Sequence, residues 1–114
     1  MDEDLEAVWK ALADPTRRRI LDLLRDGPRT TTAIAAAFPV TRFAIMKHLR
    51  ILAESGLVLV EPRGRERWNH LNAVPLRRLY ERWISGYADH WAASLLTLKR
   101  HLERPRARQR RRSR

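Results

Sequence analysis

The chain has no cysteine, which excludes disulfides, thiolate metal sites, iron–sulfur clusters and redox-sensing thiols. It has no apolar run of about 18 residues, the length a membrane-crossing helix needs. Met1 to Glu6 is acidic where a secretory signal would be basic and then apolar. Glycine is scarce at four residues, and Gly64 stands alone, so no glycine-rich phosphate loop is present. No Ser/His/Asp grouping appears either, and enzyme chemistry is not expected. A cytoplasmic protein without a membrane partner or cofactor is the expectation from these absences.

Acidic residues are the other shortage. Asp and Glu number 13 against 24 Lys and Arg, a formal charge of +11. Seven of the positive charges fall in residues 104–114, which leaves 17 against 13 for residues 1–103. Within that body residues 41–72 are the basic third, with six positive and three negative side chains. The balance predicts one domain over residues 1–103 that meets a polyanion, followed by a disordered arginine-rich tail over 104–114. A flexible tail of that charge adds phosphate affinity and salt dependence but carries no sequence information.

Helical spacing begins at once. Leu5, Val8, Trp9 and Leu12 form an apolar stripe. Asp14 and Pro15 then read as an N-cap and first helical residue, opening a second helix whose buried face is Ile20, Leu21, Leu23 and Leu24. Asp26, Gly27 and Pro28 break it. A short third helix opens at one of Thr30 to Thr32 and stops before Pro39. Thr41 caps a fourth, with Ile45, Leu49 and Leu52 on one side and Arg42, Phe43, Met46, Lys47 and Arg50 on the other. Ser55 and Gly56 close it. Leu57 to Glu61 and Glu66 to Leu71 read as two strands around a turn at Pro62 to Arg65. From Pro75 onward Leu76, Leu79, Tyr80, Trp83, Ile84, Tyr87, Trp91, Leu95 and Leu98 keep helical spacing for about seven turns, with Gly86 as the weak point.

Two short helices joined by a tight turn, then a hairpin with arginines at its tip, is the order of a winged helix-turn-helix. The fold expected is mainly α with a small β-hairpin, α1-α2-α3-α4-β-β-α5. A helix reads the major groove of duplex DNA when donors and small apolar groups stand on its outer face. Thr41, Arg42, Phe43, Met46, Lys47, His48 and Arg50 are the candidates, with Arg42 suited to a bidentate bond with guanine and Phe43 and Met46 to thymine methyls. A solvated helix face gains nothing from an exposed Phe and Met. Arg63, Arg65 and Arg67 are the wing candidates, placed to lie over flanking phosphates or the minor groove. Thr30 and Thr31 are candidate backbone contacts, although capping alone accounts for one hydroxyl in that threonine run. His48 is expected to pack at the helix edge and donate to a phosphate or a carbonyl. His70 receives no role.

About a hundred residues cannot bury four Trp together with the C-terminal leucine stripe in one small core, so an intermolecular surface follows. A twofold seam of the terminal helices, Leu5, Val8, Trp9, Leu12, Leu79, Tyr80, Trp83, Tyr87 and Trp91, is the economical reading, with a small-molecule pocket there as the alternative.

The stretches 10–24 (KALADPTRRRILDLL), 41–58 (TRFAIMKHLRILAESGLV) and 64–71 (GRERWNHL) resemble the ArsR/SmtB family of bacterial winged-helix repressors. The resemblance covers residues 5–103. It implies a homodimer on an inverted-repeat operator, dimer contacts from the first and last helices, frequent autorepression, and residues 41–55 as the recognition helix. The chain departs from the family in having Met46 where many members have serine, and Phe38, Pro39 and Val40 where the bend often contains glycine. The cysteine motif of thiolate metal sensors is absent. Other members bind zinc on the last helix through histidines with ten residues between them, the separation of His90 and His101 here. The neighbouring carboxylates are out of step, since Asp89 directly precedes His90 and Glu103 follows His101 by two. The pattern is closer to the metal-independent branch, its inducer unknown. A zinc-responsive repressor using His90 and His101 and an RNA-binding protein are the alternatives.

Overall fold

In the computed structural model, which describes residues 2–87, 92 and 94–103, the expected amphipathic stripe of the first helix is present but rotated. Helix α1 (Asp2–Leu12) buries Leu5, Val8 and Ala11, and leaves Trp9 42% exposed. The side chain at 9 lies about 100° from that at 8 and falls outside the buried arc. Asp14 caps α2 (Pro15–Leu24), its Oδ1 accepting from the backbone N–H groups of Thr16 at 2.8 Å and Arg17 at 3.2 Å, with Pro15 at the first helical position where its missing donor is no loss. Ile20, Leu21 and Leu24 are buried as the spacing predicts.

Chain contacts divide the protein into two units, one ending at Leu79 and one starting at Tyr80. In the first unit α2 leads into a strand the sequence did not announce, β1 (Arg29–Thr30). Then come α3 (Thr31–Ala36), α4 (Arg42–Glu54), β2 (Val58–Arg63), β3 (Glu66–Leu71) and α5 (Val74–Leu79). The expected two-stranded hairpin is therefore a three-stranded antiparallel sheet in the order β1-β3-β2, with Arg29 opposite Asn69 and Thr30 opposite Trp68. Two residues carry no periodicity, so β1 left no sequence signal. The hairpin also runs further than expected. Pro62 and Arg63 continue β2, opposite Arg67 and Glu66, because proline is tolerated on an edge strand. Gly64, at φ +59°, is the single positive-φ residue of the two-residue turn, the pattern of a type II′ hairpin.

Ile34 of α3, Ile45, Leu49 and Leu52 of α4, and Leu57, Val58 and Leu79 complete one apolar core with α1 and α2. Full burial of each such side chain contributes about 1.5–3 kcal/mol. Helix α4 ends as its Ser55 and Gly56 foretell. The N–H groups of Gly56 and Leu57 return to the carbonyls of Ala53 and Leu52, both at 3.0 Å, with Gly56 at φ +84°. Asn72 then ties this corner, donating to the Gly56 carbonyl at 2.9 Å and accepting from the Val74 N–H at 3.2 Å.

The second unit opens with a π-helical turn, Tyr80–Ile84, and is helical again at residues 85–87 and 94–103. The sequence reading expected a continuous α-helix with Gly86 as its weak point; the irregularity lies before that glycine. Within it the Arg82 guanidinium stacks 4.3 Å over the Trp83 ring, and Ser85 donates to the Glu81 carbonyl at 3.1 Å.

Candidate nucleic-acid interface

The division of α4 into two faces is the central geometric fact. Thr41 caps it, accepting from the Ala44 N–H at 3.1 Å. Ile45, Leu49 and Leu52 are buried, and Arg42, Phe43, Met46, Lys47 and Arg50 are exposed, Phe43 by 79% and Met46 by 47%. Three cations and two large apolar groups thus share one solvent-facing surface, with no acidic residue in the first turn. Such a surface offers donors to phosphates and guanine and apolar contact to thymine methyls.

His48 lies at the edge of that face, half-buried, with its Nδ1 3.3 Å from Arg17 Nη1. An arginine can only donate, so Nδ1 is the acceptor and the proton of a neutral ring sits on Nε2. The expected bond from His48 to a carbonyl is replaced by this one. Arg17 also donates from Nε to the Ala11 carbonyl at 2.7 Å and from Nη2 to the Lys10 carbonyl at 2.9 Å. One guanidinium therefore satisfies the C-terminal end of α1 and braces α4. Beside it, Asp14 is held below its usual pKa. Partial burial opposes ionisation, but the N–H groups of Arg17 and Thr16 and the positive charge nearby outweigh it.

The three threonines at the start of α3, its cap and first two residues, divide their labour differently from the expectation. Thr30 caps the helix, accepting from the Ala33 N–H at 3.1 Å. Thr31 is buried and its Oγ1 accepts from Asn69 Nδ2 at 3.1 Å, so it is not available to a phosphate. Ile34, three residues on, is fully buried, and residue 31 shares its face. The exposed hydroxyl is that of Thr32, which accepts from Arg42 Nη1 at 3.1 Å. Asn69, itself buried, also donates to the Arg29 carbonyl at 3.2 Å and ties β3 to β1 and α3.

The wing arginines are separated rather than pooled. The register puts Glu61, Arg63, Trp68 and His70 on one face of the hairpin and Arg67 on the other with Asn69, while Arg65 occupies the turn. Glu61 accepts from Arg63 Nη2 at 2.9 Å and lies 2.9 Å from His70 Nε2, and the Arg63 guanidinium sits 4.8 Å over the Trp68 ring. These hydrogen bonds hold the Glu61 carboxyl below its usual pKa, that from Arg63 most strongly. Arg63 is therefore partly neutralised, and His70, given no role from sequence, belongs to this cluster. Arg65 and Arg67 are exposed. Trp68 Nε1 is buried and has no partner among the described residues.

Of the residues expected at a twofold seam, Leu5, Val8 and Leu79 are 7%, 2% and 3% exposed and belong to the chain's own core. They cannot serve a second copy, since withdrawing them would open the first unit. Leu12 is half-buried against that core. Trp9 remains exposed in the first unit, and Tyr80, Trp83 and Tyr87 are exposed in the second. Trp91, Asp89, His90 and residues 104–114 lie outside the described residues. His101 is exposed. Among the described residues no group of three or more His, Asp or Glu is placed to hold a metal, and no helix is long and apolar enough to cross a membrane.

A capped helix presenting a cationic and apolar face, preceded by a shorter helix and followed by a basic hairpin, defines a winged helix-turn-helix of the DNA-binding kind. A family model described as a helix-turn-helix domain matches residues 12–61. The HTH-type transcriptional regulator Rv2034 of Mycobacterium tuberculosis is 36% identical over 91 residues, covering 74% of this chain and 85% of that protein. The transcriptional repressor SdpR of Bacillus subtilis is 39% identical over 70 residues, 61% of this chain and 78% of that protein. Among solved structures, an ArsR family transcriptional regulator, RHA00566, superposes with a TM-score of 0.72 at 33% identity, over 81% of this chain and 94% of its own. The homodimeric winged helix-turn-helix DNA-binding domain Mb0332 from Mycobacterium bovis gives a TM-score of 0.62 at 26% identity, over 79% and 84%. The chain belongs to the ArsR family of winged helix-turn-helix transcriptional regulators, and is not an enzyme.

Proposed function

We propose that the protein is a dimeric repressor that binds an inverted-repeat operator, with α4 in the major groove and the wing, residues 62–67, on the flanking backbone or minor groove. The observation that carries this is the outer face of α4, where Arg42, Phe43, Met46, Lys47 and Arg50 are exposed together. A Phe side chain left 79% in water costs solubility and returns nothing to the fold. A thymine methyl at the floor of the groove is the partner that suits it. The first candidate operator is the duplex upstream of the protein's own gene, which makes the repressor autoregulatory.

Dimerisation follows from the same economy. The exposed Trp9 of the first unit, and separately the exposed Tyr80, Trp83, Ile84 and Tyr87 of the second, are apolar surface that a second copy would cover. The homodimeric state of Mb0332 supports this reading. Two copies also double the readout, because equivalent helices one DNA turn apart contact two half-sites.

The test is fluorescence anisotropy of the full chain at physiological salt, on that upstream duplex and on a shuffled duplex of equal composition. A preference of about a thousandfold or more is expected of a sequence-specific regulator. Equal affinity for both duplexes refutes autorepression; equal affinity also for duplexes selected from a randomised pool refutes sequence-specific binding altogether.

A further inference from the structure

We propose that Thr32 is a positioning residue for Arg42, fixing the plane in which that guanidinium meets a base. The inference rests on the reading of α4 given above and extends it to a residue on α3. Arg42 is the first residue of α4 and stands exposed, with nothing of its own helix to hold it. A free arginine side chain carries about 2 kcal/mol of rotamer entropy, and ordering it at the moment of binding offsets much of what a base contact contributes. The bond from Arg42 Nη1 to Thr32 Oγ1 at 3.1 Å settles part of that order beforehand.

The geometry suits the purpose. A guanidinium has five N–H donors in one plane. Thr32 accepts one of them and leaves four, more than the two that a bidentate bond to guanine O6 and N7 requires. The acceptor is itself anchored. Thr32 follows Thr31, whose hydroxyl is held by buried Asn69, and Thr30, whose hydroxyl caps the helix. The backbone that carries the Thr32 hydroxyl is therefore fixed on both sides of the α3 N-terminus. A hydroxyl in that position, with no other described bond, contributes little to stability, and its contact with Arg42 crosses between the two helices of the motif.

The experiment uses the full chain and a pool of randomised duplexes, from which the wild type selects its preferred sequence. Base preference at each position is then measured for Thr32→Val, Thr32→Ser, Arg42→Ala and the double variant Thr32→Val/Arg42→Ala. Arg42→Ala is expected to flatten one position of each half-site. Thr32→Val is expected to lower discrimination at that same position by about 5- to 10-fold, the scale of lost preorganisation at a single side chain, and to leave other positions unchanged. Thr32→Ser restores it, and Thr32→Val adds nothing once Arg42 is Ala. Uniform weakening on all sequences by Thr32→Val would make Thr32 a phosphate contact and overturn the inference. So would unchanged discrimination at a position that Arg42→Ala flattens. If Arg42→Ala itself leaves every position intact, the base-reading role of Arg42 falls, and the inference falls with it.

Discussion

Asn69 is the buried polar residue that ties β3 to β1 and α3, and its loss should be costly. It is 1% exposed and its two amide hydrogens face three acceptors, Thr31 Oγ1 at 3.1 Å, the Arg29 carbonyl at 3.2 Å and the Arg67 carbonyl at 3.4 Å. Replacing it by Ala removes two good hydrogen bonds at about 1 kcal/mol each and leaves the buried Thr31 hydroxyl short of a donor, a further cost of about 1 kcal/mol or more. The expected loss is about 3 kcal/mol, which for a domain of this size lowers Tm by roughly 12–24 °C. Urea denaturation followed by far-UV circular dichroism measures it, provided the slope with denaturant is unchanged. The cycle with Thr31→Val is the sharper test. Because the two side chains share one bond, the double variant should be less destabilised than the sum of the singles by about 1 kcal/mol. Asn69→Asp should be worse than Asn69→Ala, since it turns a buried carboxylate toward acceptor oxygens. A loss below about 1 kcal/mol for Asn69→Ala, or strict additivity with Thr31→Val, would refute the reasoning.

On the wing, Arg65→Ala should weaken binding to all duplexes alike and reduce the slope of log affinity against log salt by about one, whereas Arg63→Ala, already paired with Glu61, should change the slope by less. Glu61→Gln should bring Arg63→Ala up to the effect of Arg65→Ala, and equal slopes for both arginines in the parent chain would count against the pairing. The Asp14 cap should be worth about 1 kcal/mol by Asp14→Ala in thermal denaturation. Because its folded pKa is depressed, that contribution is present above the ordinary carboxylate range and is lost as pH falls through the lowered value. The Asp14→Ala chain should therefore show a shallower acid limb, and parallel limbs would dismiss the cap. Trp83→Ala should yield monomers at micromolar concentration in sedimentation velocity; an unaltered dimer would move the seam elsewhere.

Sequence patterning reached the elements better than their joints. The caps at Asp14 and Thr41, the start of α3 to within Thr30 to Thr32, and the glycine end of α4 were legible because each depends on bonds or backbone freedom local to the chain. The two faces of α4 were legible for the same local reason, a fixed 100° step. What escaped depends on which segments meet. Strand β1 exists only because β3 lies beside it, and the partners of Arg17, Asn69 and Thr32 are 31, 38 and 10 residues away. The wing was read as three equivalent arginines since a turn was placed where β2 continues. Once Pro62 and Arg63 join the strand, alternation puts Arg63 and Arg67 on opposite faces. The seam residues Leu5, Val8 and Leu79 were misplaced because an apolar helix face looks the same whether its partner is the same chain or another.

The clean partition of α4 has a consequence for how such a protein changes over generations. None of the five exposed positions of its outer face contributes to the buried core, so substitutions there other than Gly and Pro should each move stability by no more than about 0.5 kcal/mol. Five positions admit on the order of a million combinations that leave the scaffold folded, each with a different pattern of donors and methyl contacts. If α4 reads DNA as proposed, recognition can drift from one operator to another through intermediates that all remain folded, while Ile45, Leu49 and Leu52 hold the helix in place.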